Sequence, residues 1–385
     1  MKIQILDPAL SGVAGHHPDL CLRTAKYLRQ AGHDVTIYAN RNLQVSQMGH
    51  QAHGTHLVPY FSDSPYVPPH SFDQVAGELI HFLQFSQVLA GELNRLPNAD
   101  AWVWPTFFSH QLHACALHGF PKLIAGCIHL PVDFMTPEYG HGWWRYAHLV
   151  ATERKLKLNL GSIEPEVIET YANVFPPNTL HILPSYFDGW TRTSEDRSPL
   201  KIGFFGHQRR EKGTDFLDQL IERLLPSYQV VVHDSSGSLT TGFRHPNLEL
   251  HGYVDNLAIL MSTCDIVILP YIATQYKAKG SGILWDAVAS GIPIVAPSNS
   301  TPGRFVSKHQ LGTVFENDTV HSVMDATERL VKSLGDFKLR CQDFAQDWRR
   351  KNGFEQFMRS FLLNHLSAQP PKSVTFKLGT IQYRI

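Results

Sequence analysis

The chain begins with a short apolar run, residues 2–6, that stops at Asp7-Pro8. A loop of small residues from Ala9 to Gly15 follows, and then a segment with apolar or small side chains at Leu20, Thr24, Tyr27, Leu28 and Ala31. This spacing predicts strand, loop and helix, with Gly32 just past the helix end, where a left-handed residue is favoured. Residues 34–39 (DVTIYA) predict a second strand, so the chain opens with a βαβ unit. Ser71 and Gln74 have capping-box spacing, and Val75, Leu79, Phe82, Leu83, Leu89, Leu93 and Leu96 mark the buried face of a long helix that Pro97 ends. A strand at 101–104, a helix at 108–117, a strand at 122–128 after Pro121, and strands at 149–152 and 179–183 complete this half. Strands alternating with helices imply a mostly parallel sheet covered on both faces.

Residues 191–199 (TRTSEDRSP) are polar and predict a linker. The pattern then restarts with a strand at 200–205, a loop at 206–213, and a helical stripe at Phe216, Leu217, Leu220, Ile221 and Leu224. Further strands are predicted at 229–233, 248–250, 266–269 and 292–296. The expected fold class is α/β, with two Rossmann-like βαβ domains, 1–192 and 193–345, facing across a cleft. Ligands of such sheets bind outside the carboxyl ends of the strands, so the cleft is the expected site. Residues 367–385 carry no strong pattern and are taken as a tail.

The length of 385 residues fits two domains better than one or three. Lys+Arg 34 cancels Asp+Glu 34, which argues against a nucleic-acid partner. No apolar run approaches the roughly 18 residues of a membrane-spanning helix, and the opening run is too soon broken by Pro8 for a signal peptide. A cytoplasmic protein is expected. The five cysteines are scattered and form no CxxC pair, so reduced, buried thiols are expected.

Two stretches carry chemistry. In residues 202–213 (IGFFGHQRREKG) a strand ends in glycine, and a loop with Arg209, Arg210 and Lys212 leads into a helix. Cations beside a helix N-terminus, where free N–H groups already favour an anion, suit a phosphate or diphosphate. The alternative is a solvated basic turn; the spacing is not that of a Walker loop. In residues 276–296 a Gly280-Ser281-Gly282 loop opens a helix that Gly291 closes, and Asp286 lies one turn in. A carboxylate there can accept hydrogen bonds from a ribose diol.

The order of elements in 200–300 resembles the donor-binding half of GT-B fold glycosyltransferases, in particular family 4, the retaining hexosyltransferases. Gly206 to Gly213 resembles the family's strand-G-R-x-x-x-x-K-G signature, with Lys212-Gly213 matching directly. Gly252-Tyr253-Val254 and residues 265–270 (DIVILP) resemble its next turn and proline-ended strand, and Asp286 to Ala296 resembles its E-A-M-A-S-G-x-P-V-V-A stretch. In the first half, Ala14-Gly15-His16, residues 28–35 (LRQAGHDV), His129 and residues 183–188 (LPSYFD) resemble further family motifs. Residues from Trp348, within 346–366, resemble the closing helix that packs back on the first domain.

The resemblance implies transfer of a hexose, with retention, from a nucleotide diphosphate sugar to a glycan or lipid-linked acceptor, without a cofactor or metal. Lys212, with Arg209 or Arg210, would hold the diphosphate and neutralise the leaving nucleotide, and the N–H groups of Gly282 and Ile283 would add to that cradle. Asp286 would hold the ribose. Gly15 would bring the first domain's backbone near the diphosphate. His129 would hydrogen-bond the donor sugar or the oxygen in flight, and His16 and Ser281 would complete the sugar and acceptor contacts. The sequence departs from the family at His207, where an arginine is usual, and at Lys277-Ala278-Lys279, where the first of two acidic residues is usual. Two alternatives stand beside transfer: a nucleotide-sugar epimerase of the same fold, and a binder of sugar nucleotides without catalysis.

The 22 histidines invite a metal reading. His16-His17, His50/His53/His56 and His110/His113/His118 are the clusters, and none has a metal-ligand spacing, so hydrogen-bonded histidines are expected. Trp143-Trp144-Arg145-Tyr146, with Arg154, Lys155 and Lys157 downstream, could form a weak peripheral membrane patch at the inner face. With no net charge to support attachment, ordinary packing is the expectation.

Overall fold

In this computed structural model the described residues are 1–13, 15–46, 48, 54–66, 75–120, 122–134, 136–191, 198–234, 244–254, 256–366, 375–378 and 381–384. The chain divides into two units, Met1–Leu183 with Met358–Ile385, and Pro184–Phe357. The expected cap at Ser71 and Gln74, Ala14, His50, His53, Pro121 and most of the 191–199 linker lie outside the described residues.

The first unit is built on seven parallel strands: β1 (Lys2–Asp7), β2 (Asp34–Asn40), β3 (His56–Phe61), β4 (Ala101–Trp104), β5 (Leu123–Cys127), β6 (Lys157–Ser162) and β7 (Leu180–Ile182). Their order is β3-β2-β1-β4-β5-β6-β7. The direction of winding reverses between β1 and β4, which creates the switch point at which loops diverge and ligands bind. The helices are α1 (His16–Gln30), α2 (Val75–Leu93), α3 (Ser109–His118), α4 (Gly140–Glu153) and α5 (Pro165–Thr170). β4 reads AWVW and is buried on both faces, as a central parallel strand must be. Trp102 stacks on Phe120 at 3.9 Å between ring centroids and donates its Nε1–H to Gln4.

The second unit repeats the plan with β8 (Lys201–Phe204), β9 (Gln229–His233), β10 (Leu248–His251), β11 (Ile266–Ile268), β12 (Ile294–Pro297) and β13 (Gly312–Phe315), in the order β10-β9-β8-β11-β12-β13. Between the strands run α6 (Thr214–Leu224), α7 (Leu257–Ser262), α8 (Gly282–Ser290) and α9 (Thr301–His309). α10 (Val320–Lys332) and α11 (Leu334–Lys351) follow the last strand. α6 places Leu217, Leu220, Ile221 and Leu224 against the sheet, the stripe its sequence spacing predicts. Both units are parallel-sheet Rossmann-like layers, the expected α/β organisation.

Three expectations are corrected. Residues 149–152, expected as a strand, are the last turns of α4: Trp143, Trp144, Ala147 and Ala151 recur at helical spacing and are buried, and the strand follows at β6. Leu79, expected on the buried face of α2, is exposed, and its neighbour Glu78 is buried instead. The Glu78 carboxylate accepts the N–H groups of Glu138 and Tyr139 and the indole N–H of Trp143, which offsets the cost of its burial. The tail contains a two-stranded antiparallel ribbon, β14 (Thr375–Leu378) and β15 (Ile381–Arg384). Its β-branched and aromatic residues on either side of Gly379 carry the hairpin signal.

The chain passes between the units twice, and the two passages are bonded together within the second unit. Asn352 Oδ1 accepts the Ser185 N–H, Gly353 N–H bonds to the Ser185 carbonyl, and Asp188 Oδ1 accepts the Phe354 N–H at 2.8 Å. The last contact caps α12 (Phe354–Phe361). Of the closing segment 346–366, residues up to Phe357 belong to the second unit and the remainder to the first. There the Asn159 side chain donates to the carbonyls of Ser360 and Phe361.

Candidate active site

In the second unit the basic loop leaves β8 at the switch point beside β11. Gly206 has φ +105°, in the region that favours glycine, and its N–H donates to His233 Nδ1 at the end of β9. Gln208 is held to the same strand end: its N–H bonds to Asp234 Oδ1 and its amide to the His233 carbonyl. The loop is thus clamped, and a short 3₁₀ turn at Arg210–Lys212 delivers Lys212 inward before Gly213 starts α6. A Cβ at Gly206 would lie 2.5 Å from Lys212 Nζ and 3.3 Å from Ile283. The glycine therefore permits a lysine ammonium and the first turn of α8 to converge on one piece of backbone.

Lys212 sits 5.6 Å from the Tyr271 ring centroid. Burial, with the charges of Arg209 and Lys279, pushes its ammonium down to about 8, against the opposing pull of Glu211. Glu211 accepts from Lys279 Nζ at 2.9 Å and lies 3.6 Å from Arg209. Burial alone would raise the Glu211 carboxyl, but the three cations hold it below its ordinary value. Arg210 points outward, exposed, with Nε 2.9 Å from Asp215. Lys279 was not singled out as a ligand from sequence; the signal that could have found it is its place one residue before the Gly-Ser-Gly loop.

α8 opens on Ser281, whose Oγ accepts the Leu284 N–H and hydrogen-bonds Tyr271 Oη at 2.9 Å. Helix geometry leaves the N–H groups of Gly282 and Ile283 without an intrahelical acceptor, an arrangement that favours an anion. Asp286, half-buried, stands one turn further along α8. The structure thus brings Lys212, Arg209, Ser281, Gly282 and Ile283 to one edge of this unit, and Arg210 is turned away from it.

In the first unit, Gly15 has φ +94° and precedes α1, which starts with His16. The exposed His16 ring meets His129 edge-on at 5.7 Å. His129 follows β5 and its Nε2 donates to the Pro105 carbonyl at 2.8 Å, which leaves Nδ1 as the acceptor nitrogen of the neutral ring. Burial pushes this imidazole down to about 4, so it is neutral at physiological pH.

Asp7 and His17 form a pair that the sequence does not announce. Asp7, buried at the end of β1, takes His17 Nδ1 at 2.8 Å, the Ala9 N–H and the Cys21 thiol, and His17 Nε2 lies 3.2 Å from Tyr66 Oη. Among the other histidines, His113 stacks on Phe82 at 5.0 Å, and burial holds His110 down at about 3. Of the membrane patch weighed above, Trp143 and Trp144 are buried and Tyr146 is exposed. No described helix is long and apolar enough to cross a membrane.

Residues 199–333 match the family model described as glycosyl transferases group 1. No curated protein sequence matches the chain. Among solved structures, the Anabaena protein HepE in complex with UDP and glucose is similar at 13% identity and a TM-score of 0.63, covering 96% of this chain and 100% of HepE. The glycosyltransferase SnogD from Streptomyces nogalater is similar at 18% identity and 0.60, covering 95% and 99%. The glycotransferase of kitacinnamycin is similar at 15% identity and 0.59, covering 94% and 98%. These likenesses give the fold, and the family match lies within the second unit.

Proposed function

We propose that this chain is a glycosyltransferase of the GT-B fold and moves a hexose from a nucleotide diphosphate sugar to an acceptor hydroxyl. The resemblance of residues 286–296 to family 4 supports retention at the anomeric carbon and a glycan or lipid-linked acceptor. The observation that carries the reading is the convergence of Lys212, Gly206 and the start of α8 inside the family-matched segment.

The chemistry follows from that arrangement. When the bond between the sugar and the diphosphate breaks, negative charge grows on the leaving phosphate oxygen. Fixed positive groups that meet it lower the barrier without reorganising. Lys212 and Arg209 supply charge, and the N–H groups of Gly282 and Ile283 supply directed donors. Glu211 now occupies Lys279, so donor binding gives the cations a second anion to share. These groups furnish the counter-charge themselves, and the reading includes no metal and no cofactor. Asp286 is assigned to the ribose hydroxyls and Ser281 to the sugar side of the diphosphate, and Gly15 keeps the diphosphate role that the resemblance implies. Neutral His129 is assigned to the donor sugar, and His16 to the acceptor.

HepE is solved with UDP and glucose, so UDP-glucose and related UDP-hexoses are the first donors to try. Incubation with a panel of them, with and without acceptors, tests the reading. Nucleoside diphosphate released only with an acceptor supports transfer. An isomerised donor without acceptor would replace it with epimerisation, and tight binding without turnover would replace it with a binding role.

A further inference from the structure

Three cations in the second unit gather around one carboxylate. Glu211 Oε1 lies 2.9 Å from Lys279 Nζ and 3.6 Å from Arg209, and Lys212 is the next residue along the chain. The two ammonium groups stand over a pair of stacked rings. Lys212 Nζ is 5.6 Å from the Tyr271 centroid, Lys279 Nζ is 5.1 Å from that of Tyr276, and the two centroids are 4.2 Å apart. Both rings are buried, and Tyr271 Oη is bonded to Ser281 Oγ at the cap of α8. The platform that carries the ammonium groups is thus tied to the helix end whose first N–H groups favour an anion. The Glu211 backbone is held as well, since its carbonyl accepts the Ile272 N–H at 3.0 Å. Its side chain, a quarter exposed, retains its own torsions.

We propose that Lys279 is a third cation of the donor site and that Glu211 is its internal stand-in for a phosphate: the empty site keeps the ammonium on the carboxylate, and the donor takes it over. The inference rests on the transferase reading above and assigns to that site a residue and a contact it does not use. Three like charges this close repel one another, and Arg209 and Lys279 add to burial in pushing the Lys212 ammonium down. One carboxylate relieves part of that repulsion and leaves an excess of positive charge. One negative charge on each phosphate of a sugar nucleotide would neutralise the excess. The carboxylate is itself ionised at neutral pH, because Lys279, Arg209 and Lys212 outweigh the effect of burial and hold it below its ordinary value. A lysine ammonium has three N–H donors, so it can pass from carboxylate to phosphate through an arrangement bonded to both. After transfer the nucleoside diphosphate bears one more negative charge than the donor did, and the return of Lys279 to Glu211 opposes its retention.

Calorimetry on the intact chain with inorganic pyrophosphate, which carries the diphosphate and no base, tests this. Glu211→Gln keeps the shape and removes the competing charge, and should tighten pyrophosphate about fivefold. Lys279→Gln should weaken it about tenfold in the natural background and also beside Glu211→Gln. That second comparison separates a ligand from a neutraliser: if Lys279 served only to balance Glu211, the double variant would regain the natural affinity, and the inference would fall. Weaker pyrophosphate binding in Glu211→Gln would overturn it too, since the carboxylate would then be orienting the cations rather than competing for one. Lys212→Ala, measured alongside, keeps the two readings apart. Pyrophosphate binding that depends on Lys212 but on neither Glu211 nor Lys279 refutes this inference alone, and binding that depends on none of the three refutes the donor site with it.

Discussion

Lys212 Nζ stands where a side chain on Gly206 would begin, 2.5 Å from the position of a Cβ. Gly206→Ala therefore combines a strained φ of +105° with displacement of the ammonium. The lysine end is flexible, so the stability cost should be that of the backbone alone, about 1–3 kcal/mol by denaturant unfolding. UDP affinity should fall about tenfold. A variant that binds UDP normally would show that the ammonium's position does not matter.

Lys212→Ala should weaken UDP far more than uridine, since the side chain is assigned to the diphosphate. The pH dependence has a definite sign. The folded ammonium has a pKa of about 8 against the ordinary 10.5, so it is charged below pH 8 and loses its proton as pH rises through that value. UDP affinity should decline above pH 8 in the natural chain, and Lys212→Arg, charged throughout, should not share that decline. Equal losses of UDP and uridine in the alanine variant would remove the assignment.

Asp286→Ala should weaken UDP about tenfold and leave inorganic pyrophosphate binding unchanged, because its partner is the ribose. Calorimetry with both ligands decides. A loss shared by pyrophosphate would place the carboxylate's influence on the cradle itself.

His129→Ala should lower kcat at least tenfold while the UDP dissociation constant stays within about twofold. Because the natural ring protonates only near pH 4, no acidic limb at pH 6–7 should trace to it. An acidic limb near pH 6.5 that vanishes in the variant would contradict a neutral, accepting imidazole.

Asp7→Asn should reorganise the end of β1. The carboxylate serves Ala9, His17 and Cys21 together, whereas an amide presents N–H to one side and must turn the His17 ring or lose its bond. Nitrogen chemical shifts of His17 should report a change of tautomer, with a stability loss of about 1–3 kcal/mol. Unchanged His17 shifts would show that Asp7 does not set its proton.

The parallel strands were legible because both their faces are buried, so residues such as 101–104 and 230–232 read as unbroken apolar runs. α4 was misread in part because its indoles and alanines recur every three to four residues inside a stretch rich in histidine and aromatic residues. The two loops proposed to hold the donor were legible as loops, since glycines and cations there are local in sequence. Its actual partners were not: Glu211 with Lys279 and Lys212 with Tyr271 join loops that only the sheet order brings together. Asp7 and His17 were invisible for the opposite reason, since an acid at a strand end and a histidine in a helix are each commonplace.

The bonds that Asn159 makes to Ser360 and Phe361 have a consequence for the order in which the molecule can be made. The second unit is one unbroken length of chain, complete once Phe357 has left the ribosome, whereas the first, begun earlier, waits for residues beyond it. Domains fold as units during synthesis, so the half that starts first should finish last. A fragment ending at Leu183 would carry every strand of its seven-stranded sheet and still lack the carbonyls that satisfy Asn159.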